Sequence, residues 1–286
     1  MFDVIVPIYN IPAMKLRQCL ESIVSQSFEE WNCYIIECPS DSSEESKKIL
    51  KDCLKDNRFH YIEQTSQGLS AARNEAIEMG NSPFVSFLDG DDRWFKDHLF
   101  NINEEIVSSD SCYGFWWDYA VYPMPVRSLK SQRISNVWLQ WSSYDNIESF
   151  RPEDLHYYLM VRTVYPSTLV VRRVDGSKVN WFDNSINGAE DVDFLMRLTK
   201  VSFGSLVKEE GAVHHPSMDG TKTWDFTIVD TGSHANPLIK ELIKRYPWPT
   251  RKDRPDNVSE SYWESLMDFM DTKDKHTYEG EVISHD

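Results

Sequence analysis

Over the first hundred residues, short apolar runs alternate with segments in which apolar side chains return every three or four positions. The runs at 4–8, 32–38, 59–63 and 84–88 have the length and the β-branched or aromatic content of buried strands. Between the first two, Leu16, Leu20, Ile23 and Val24 recur at helical spacing, and between the next two Ile49, Cys53 and Leu54 do the same. A third helix is expected from Gly68 or Ser70 to Gly80, where a glycine ends it ahead of Pro83. This alternation predicts α/β crossover units and a mainly parallel sheet flanked by helices. In open sheets of that kind ligands collect at the carboxyl ends of the strands, so the loops after Ile8, Cys38, Glu63 and Leu88 are where chemistry is expected.

The pattern changes at Ser111. Aromatic residues crowd the stretch to Tyr144, among them Trp116, Trp117, Trp138 and Trp141, and Pro123 and Pro125 interrupt it, which predicts one strand followed by a long excursion. A strand at 167–173 and a helix at 190–200 come next. From residue 220 the chain is polar, with helical patterns at 237–245 and 258–270 and an end expected to fray. The organisation expected is a main domain at 1–217, divided into halves at 1–110 and 111–217, and a helical extension at 218–286.

Composition narrows the class. With 286 residues, 41% hydrophobic and 13% aromatic, the chain can bury a sizeable core. A formal net charge of -16 argues against nucleic acid or an anionic membrane as partner, so phosphate must be met locally, by a metal or a few placed cations. The five cysteines, Cys19, Cys33, Cys38, Cys53 and Cys112, include no CxxC pair and read as reduced, buried thiols of a cytoplasmic protein. The N-terminus has no basic leader, and no apolar run approaches the roughly 20 residues of a membrane span. A soluble chain is expected, one that can still act on an acceptor at a membrane.

Two segments carry candidate chemistry. The fourth strand run ends in Asp89, Gly90, Asp91, Asp92, a set of carboxylates that repel one another unless a cation or protons intervene. Hard oxygen donors of this kind suit Mg2+ or Mn2+ bridging substrate phosphates, and a solvated acidic turn is the competing reading of the cluster taken alone. An EF-hand is excluded, because Trp94 and Phe100 stand where its glycine and final glutamate would be. The second segment runs from Gln67 and Gly68 through Ser70 to Arg73 and Asn74, and places a glycine, a capping serine and a guanidinium at a helix start. Free amides and the helix dipole there favour an anion.

Together with the opening Val4 to Asn10 and the segment from Leu20 to Ser27, the block Gly68 to Asn74 and the run Phe87 to Trp94 resemble family 2 glycosyltransferases of the GT-A, Rossmann-like fold. Further on, Gly188, Ala189, Glu190 and Asp191 look like that family's catalytic acidic pair, and His214 with Ser217 is similar to its later histidine motif. The resemblance implies an inverting transfer from a nucleotide-diphospho-sugar, usually a UDP-sugar, to the hydroxyl of a glycan or other acceptor, with Mn2+ or Mg2+ on the diphosphate. Asp89 and Asp91 then look like the DxD pair, with Asp91 the direct metal ligand. Pro7, Tyr9, Asn10, Gly68, Arg73 and Gly90 fall at donor-binding positions, and Asp191 at that of the general base. Where the family commonly has two aspartates and a glycine after the second strand, this chain has Glu37, Cys38 and Pro39. Glu37 still offers a carboxylate to a uracil N–H.

Several residues keep two readings. Glu190 belongs either to the acidic pair or, with Asn187, to a capping box. His214 and His215 follow a strand-like run and can supply a further metal ligand or touch the diphosphate, or form a surface pair. Trp94, Trp116 and Trp117 offer ring faces to an acceptor sugar, with Asp118 beside them, although most tryptophans are core. A sugar-nucleotide nucleotidyltransferase would need a basic glycine-rich loop after the first strand, and residues 8–16 hold only Lys15. A catalytically silent sugar-binding module is opposed by the presence of Asp89, Asp91, Arg73 and Asp191.

Overall fold

The computed structural model describes residues 1–38, 42–109, 111–121, 164–186, 190–214 and Lys252. The expected strands appear as β1 (Phe2–Ile8), β2 (Trp31–Glu37), β3 (Phe59–Glu63) and β4 (Phe84–Phe87), and the expected helices between them as α1 (Ala13–Val24), α2 (Glu44–Cys53) and α3 (Leu69–Met79). They are followed by β5 (Arg93–Trp94), α4 (His98–Ser108), β6 (Tyr113–Val121), a 3-10 turn at Pro166–Thr168, β7 (Leu169–Arg172), α5 (Arg173–Lys178), α6 (Glu190–Leu198) and β8 (Phe203–Val213).

These strands form one sheet in the order β3-β2-β1-β4-β7-β6-β8-β5. Every residue of β1 is buried, as suits a central strand covered on both faces. Its side chains divide between two cores. Phe2, Val4, Val6 and Ile8 pack with Leu16, Leu20 and Ile23 of α1, Ile49 and Leu50 of α2, and Leu99 and Ile102 of α4. Ile5 packs on the opposite face with Ala72, Ala76 and Ile77 of α3 and with Phe194, Leu195 and Leu198 of α6. The alternation of side chains along a strand therefore places helices on both faces.

The parallel expectation holds for β3, β2, β1 and β4, and β6 also pairs in parallel with β8. β7 runs antiparallel to both β4 and β6, and β5 antiparallel to β8, so the sheet is mixed. Apolar periodicity marks a strand and carries no direction, which is why the reversal is not readable from it. The strand expected at 167–173 starts two residues late, because Pro166 opens a 3-10 turn through Thr168. Helix α4, with Leu99 and Ile102 buried, was not among the expected elements. The excursion at 122–163 and the extension at 218–286, Lys252 apart, lie outside the described residues, as do the helices expected at 237–245 and 258–270. Among the described residues no helix is long and apolar enough to cross a membrane. Cys19 and Cys33 are buried as expected, whereas Cys112 is exposed.

β1 is flanked by β2 on one side and β4 on the other, so the chain order reverses across it and a crevice opens at the carboxyl ends of β1 and β4. The opposite end is clamped by Asp3. Its buried carboxylate accepts from the Ser82 N–H at 2.8 Å, the Ser82 hydroxyl at 2.6 Å and Arg173 Nη2 at 2.5 Å, while Arg173 also donates to the Ile77 carbonyl at 2.9 Å. This joins β1, the end of α3 and the start of α5. Asp3→Ala is expected to cost about 3 kcal/mol, because it strands a guanidinium and an amide that water reaches poorly; a chemical-denaturation midpoint unchanged from wild type would refute this.

Candidate active site

The acidic turn leaves β4 at the switch-point crevice. The Asp92 N–H closes it on the Asp89 carbonyl at 2.9 Å. Gly90 is required there by close approach, since a Cβ on it would lie 2.7 Å from Ile8 Cγ2 and 3.1 Å from the Pro7 carbonyl. The turn thus rests against the end of β1, beyond which Tyr9 is 57% exposed and Asn10 adopts a positive φ of 50°. Beneath it, the buried Cys19 thiol points at the Asp89 carbonyl at 3.7 Å.

Arg73 joins this turn to the second half of the sheet. Its side chain is 1% exposed, Nη2 bonds Asp89 Oδ1 at 2.9 Å, and Nη1 bonds Glu190 Oε1 at 2.9 Å. Burial alone would lower the guanidinium's pKa, but the two carboxylates override it and the net shift is upward. The guanidinium at this helix start thus lies inside, between two carboxylates of the crevice. Gly68 is the N-cap of α3 at φ 96°, a conformation that favours glycine. The serine expected to cap this helix does not, since the buried Ser70 hydroxyl makes no hydrogen bond and the helix start has no side-chain cap.

Glu190 and Asp191 open α6. Asn187, Gly188 and Ala189 lie outside the described residues, so the capping box does too, while the Glu190 carboxylate is engaged by Arg73. Burial, followed by repulsion from Glu190, lifts the Asp191 carboxyl to about 7, against the opposing pull of Arg73. Burial, with Asp92 and Asp89 adding repulsion, lifts Asp91 to about 6, although Lys15 Nζ lies 3.8 Å from its Oδ2.

His214 follows β8, and its Nδ1 meets Asp92 Oδ2 at 3.0 Å while its ring stacks on Tyr165 at 5.0 Å between centroids. Burial pulls its pKa down, yet Asp92, Asp89 and Asp91 outweigh that and raise it. His215 and Ser217 lie outside the described residues. Glu37 accepts from the Tyr61 hydroxyl at 2.5 Å and from the Ser42 hydroxyl. Pro7 is buried in β1. The crevice therefore gathers Pro7, Tyr9, Asn10, Arg73, Asp89, Gly90, Asp91, Glu190, Asp191 and His214 from five elements.

The four acceptor-side candidates are not in it. Trp94, Trp116 and Trp117 are 3%, 2% and 2% exposed. Trp94 donates its indole N–H to the Ser167 carbonyl at 2.7 Å, Trp116 packs edge-on to Phe84, and Trp117 stacks on Phe115, so their faces are consumed by the core and none offers a platform to a sugar. Asp118 is buried against His98 Nδ1 at 2.5 Å. Its acceptor reading fails for the same reason. Sequence reasoning missed Lys15, Asp92 as an anchor, and Ser167, whose hydroxyl takes the Asp89 N–H at 3.2 Å and donates to Asp92 at 2.6 Å. Nothing local to Ser167 signals a contact 75 residues back along the chain.

Whether a divalent cation fits depends on the donor set. Among the described residues no three His, Cys, Asp or Glu side chains form a ready-made cage. Asp89 is shared with Arg73, and His214 leans on Asp92, whereas the nearest cation to Asp91, Lys15 Nζ, stands 3.8 Å away. That arrangement suits an ion held by one or two carboxylates and completed by substrate phosphate oxygens, and does not suit a closed protein site.

A switch-point sheet with an acidic turn after β4 and an acidic pair at a later helix start is the architecture of a GT-A glycosyltransferase. The glycosyl transferase family 2 model matches residues 3–160, and the chain belongs to that family. The glycosyltransferase GlyA of Streptococcus pneumoniae is 35% identical over 119 residues, covering 41% of this chain and 17% of that protein. The chain spans under half the length of such curated relatives. Among solved structures, S. aureus TarS in complex with UDP superposes with a TM-score of 0.61 at 17% identity over 96% of this chain and 72% of that one. The mannosyltransferase PcManGT of Pyrobaculum calidifontis, in complex with GDP-Man and Mn2+, gives 0.53 at 16% identity over 77% and 58%.

The raised carboxyl of Asp91 makes a stability prediction. A carboxyl whose folded pKa lies above its unfolded value destabilises the fold where it must ionise, a penalty that is full above about pH 6 and fades as pH falls toward the ordinary carboxylate range. Asp91→Asn should therefore raise the melting temperature of the metal-free chain at neutral pH, with the gain shrinking through that acidic window; a constant gain across it would refute the shift.

Proposed function

We propose that the chain transfers a sugar from a nucleotide-diphospho-sugar to an acceptor hydroxyl, with inversion at the anomeric carbon and UDP as the favoured nucleotide. The observation that carries this reading is geometric: Asp191 opens α6 next to Glu190, whose carboxylate shares the Arg73 guanidinium with Asp89 of the acidic turn, and burial there lifts its carboxyl to about 7. A base with a pKa near the working pH is the effective kind. In its ionised form Asp191 takes the proton of the acceptor hydroxyl. The freed oxygen pair bonds the anomeric carbon from the side opposite the diphosphate, and the carbon–oxygen bond to the diphosphate breaks with its electron pair leaving on the nucleotide.

The exposed Tyr9 and the backbone turn at Asn10 follow β1 at the end where a nucleoside would rest, and Glu37 closes the neighbouring β2. The uncapped start of α3 offers amides to phosphate. Asp91, with Asp89 and His214 beside it, would hold Mn2+ or Mg2+, which when bound supplies the positive charge that stabilises the departing diphosphate. Carboxylates outnumber cations there: among the described residues Asp89 and Glu190 pair with Arg73, Asp91 lies near Lys15, and Asp92 meets His214. Support for UDP comes from TarS, solved with UDP and with UDP-GlcNAc, and support for a metal from the mannosyltransferase with GDP-Man and Mn2+.

Asp191→Asn should lower kcat by about 100-fold or more while leaving manganese-dependent UDP affinity near wild type. An equal loss of affinity would remove Asp191 from the role of base. Because the base must be deprotonated, wild-type kcat should fall as pH drops through about 7. Asp91→Ala should erase the difference between UDP affinities measured calorimetrically in Mn2+ and in EDTA, and a persisting difference would exclude it as ligand.

A further inference from the structure

Asp92 takes no part in the chemistry proposed above, yet it is 1% exposed and its Oδ2 is the meeting point of three segments. The Ser167 hydroxyl donates to it at 2.6 Å, and His214 Nδ1 approaches it at 3.0 Å. The same Ser167 oxygen accepts the Asp89 N–H at 3.2 Å, and the Ser167 carbonyl accepts the Trp94 indole N–H at 2.7 Å. Two residues earlier, Tyr165 lays its ring on that of His214, with 29° between the planes. One short turn, fixed by Pro166, thus grips both ends of the acidic turn and one face of the histidine.

From this geometry we infer that Ser167 and Asp92 are positioning residues that set the orientation of His214 toward the donor diphosphate. A carboxylate against Nδ1 fixes the proton there, so the ring presents Nε2 as its basic nitrogen, directed away from Asp92; such partners typically govern how well an imidazole ligates. Ser167 holds Asp92 still by a short hydrogen bond and, through the Asp89 N–H, keeps the turn in register with it. The inference rests on the reading that a nucleotide diphosphate and its cation occupy this crevice.

The test uses the full chain and UDP. Ser167→Ala and Asp92→Asn should each weaken the manganese-dependent part of UDP affinity by about 10–100-fold, with little change in EDTA, while Ser167→Thr keeps the hydroxyl and stays near wild type. His214→Ala should weaken that part without abolishing it, since Asp89 and Asp91 remain, and adding Ser167→Ala to it should cost much less than in the wild type, since Ser167 acts mainly through the ring. Additive losses, or equal losses in EDTA, would overturn the inference. Nitrogen-15 spectra of labelled histidine in the ligand-free chain give a second reading that needs no nucleotide. Nδ1 of His214 should carry the proton in wild type, and part of the population should move to Nε2 in Asp92→Asn; a wild-type ring protonated on Nε2 alone sinks the inference. A wild-type chain that binds no UDP in either condition would refute the donor reading, and the spectra would still decide this one.

Discussion

The buried guanidinium of Arg73 is the constraint on which the crevice depends. It leaves α3 on one face of the sheet and bonds Asp89 after β4 and Glu190 at the start of α6, elements separated by about a hundred residues of chain. Placing one cation between two carboxylates in a poorly hydrated place is costly in desolvation, and the geometry offsets it only while both partners are present. Removal of the arginine would leave two like charges unscreened at the spot proposed for the donor diphosphate. The bridge therefore has a consequence beyond stability, because it sets the spacing between the acidic turn and Asp191.

A second set of contacts shapes the turn itself. Gly90 lets it press against Ile8 and the Pro7 carbonyl, and the turn from Tyr165 to Thr168 anchors its other side through Ser167. Asp89, Asp91 and Asp92, adjacent in sequence, consequently meet three different partners: Arg73, Lys15 at longer range, and the Ser167–His214 pair. Their environments, not their chemistry, separate them, and burial lifts the Asp91 carboxyl to about 6. Uneven burial and pairing of like groups is how one short segment can hold a structural acid and a candidate metal ligand side by side.

The balance of charge around the crevice links the site to the whole chain. A net charge of -16 gives the molecule a field that repels phosphate, so a nucleotide sugar can be held only where local cations or a divalent ion reverse it. Burial first, and repulsion from neighbouring carboxylates second, raise the carboxyls of Asp91 and Asp191 in that crevice.

Much of the first half was legible in the sequence because its signals are local. The runs that became β1 to β4 and the spacing of Leu16, Leu20 and Ile23 follow from side-chain period alone, and the acidic residues at the end of the fourth run could be placed at the crevice by topology. Helix α4 carried a similar pattern in Leu99 and Ile102 that the conspicuous acidic cluster before it obscured. The tryptophans show the opposite case: composition cannot say whether a ring faces a sugar or a neighbour, and packing against Phe84, Phe115 and the Ser167 carbonyl decided it. So the sequence by itself determined the order of the first four strands and the three helices between them, and the residue types at the crevice, since those depend on neighbours along the chain. The inward turn of Arg73, the partnership of Ser167 with Asp92 and His214, and the antiparallel course of β7 were decided only by tertiary structure, because each depends on groups brought together from distant positions when both faces of the sheet are covered.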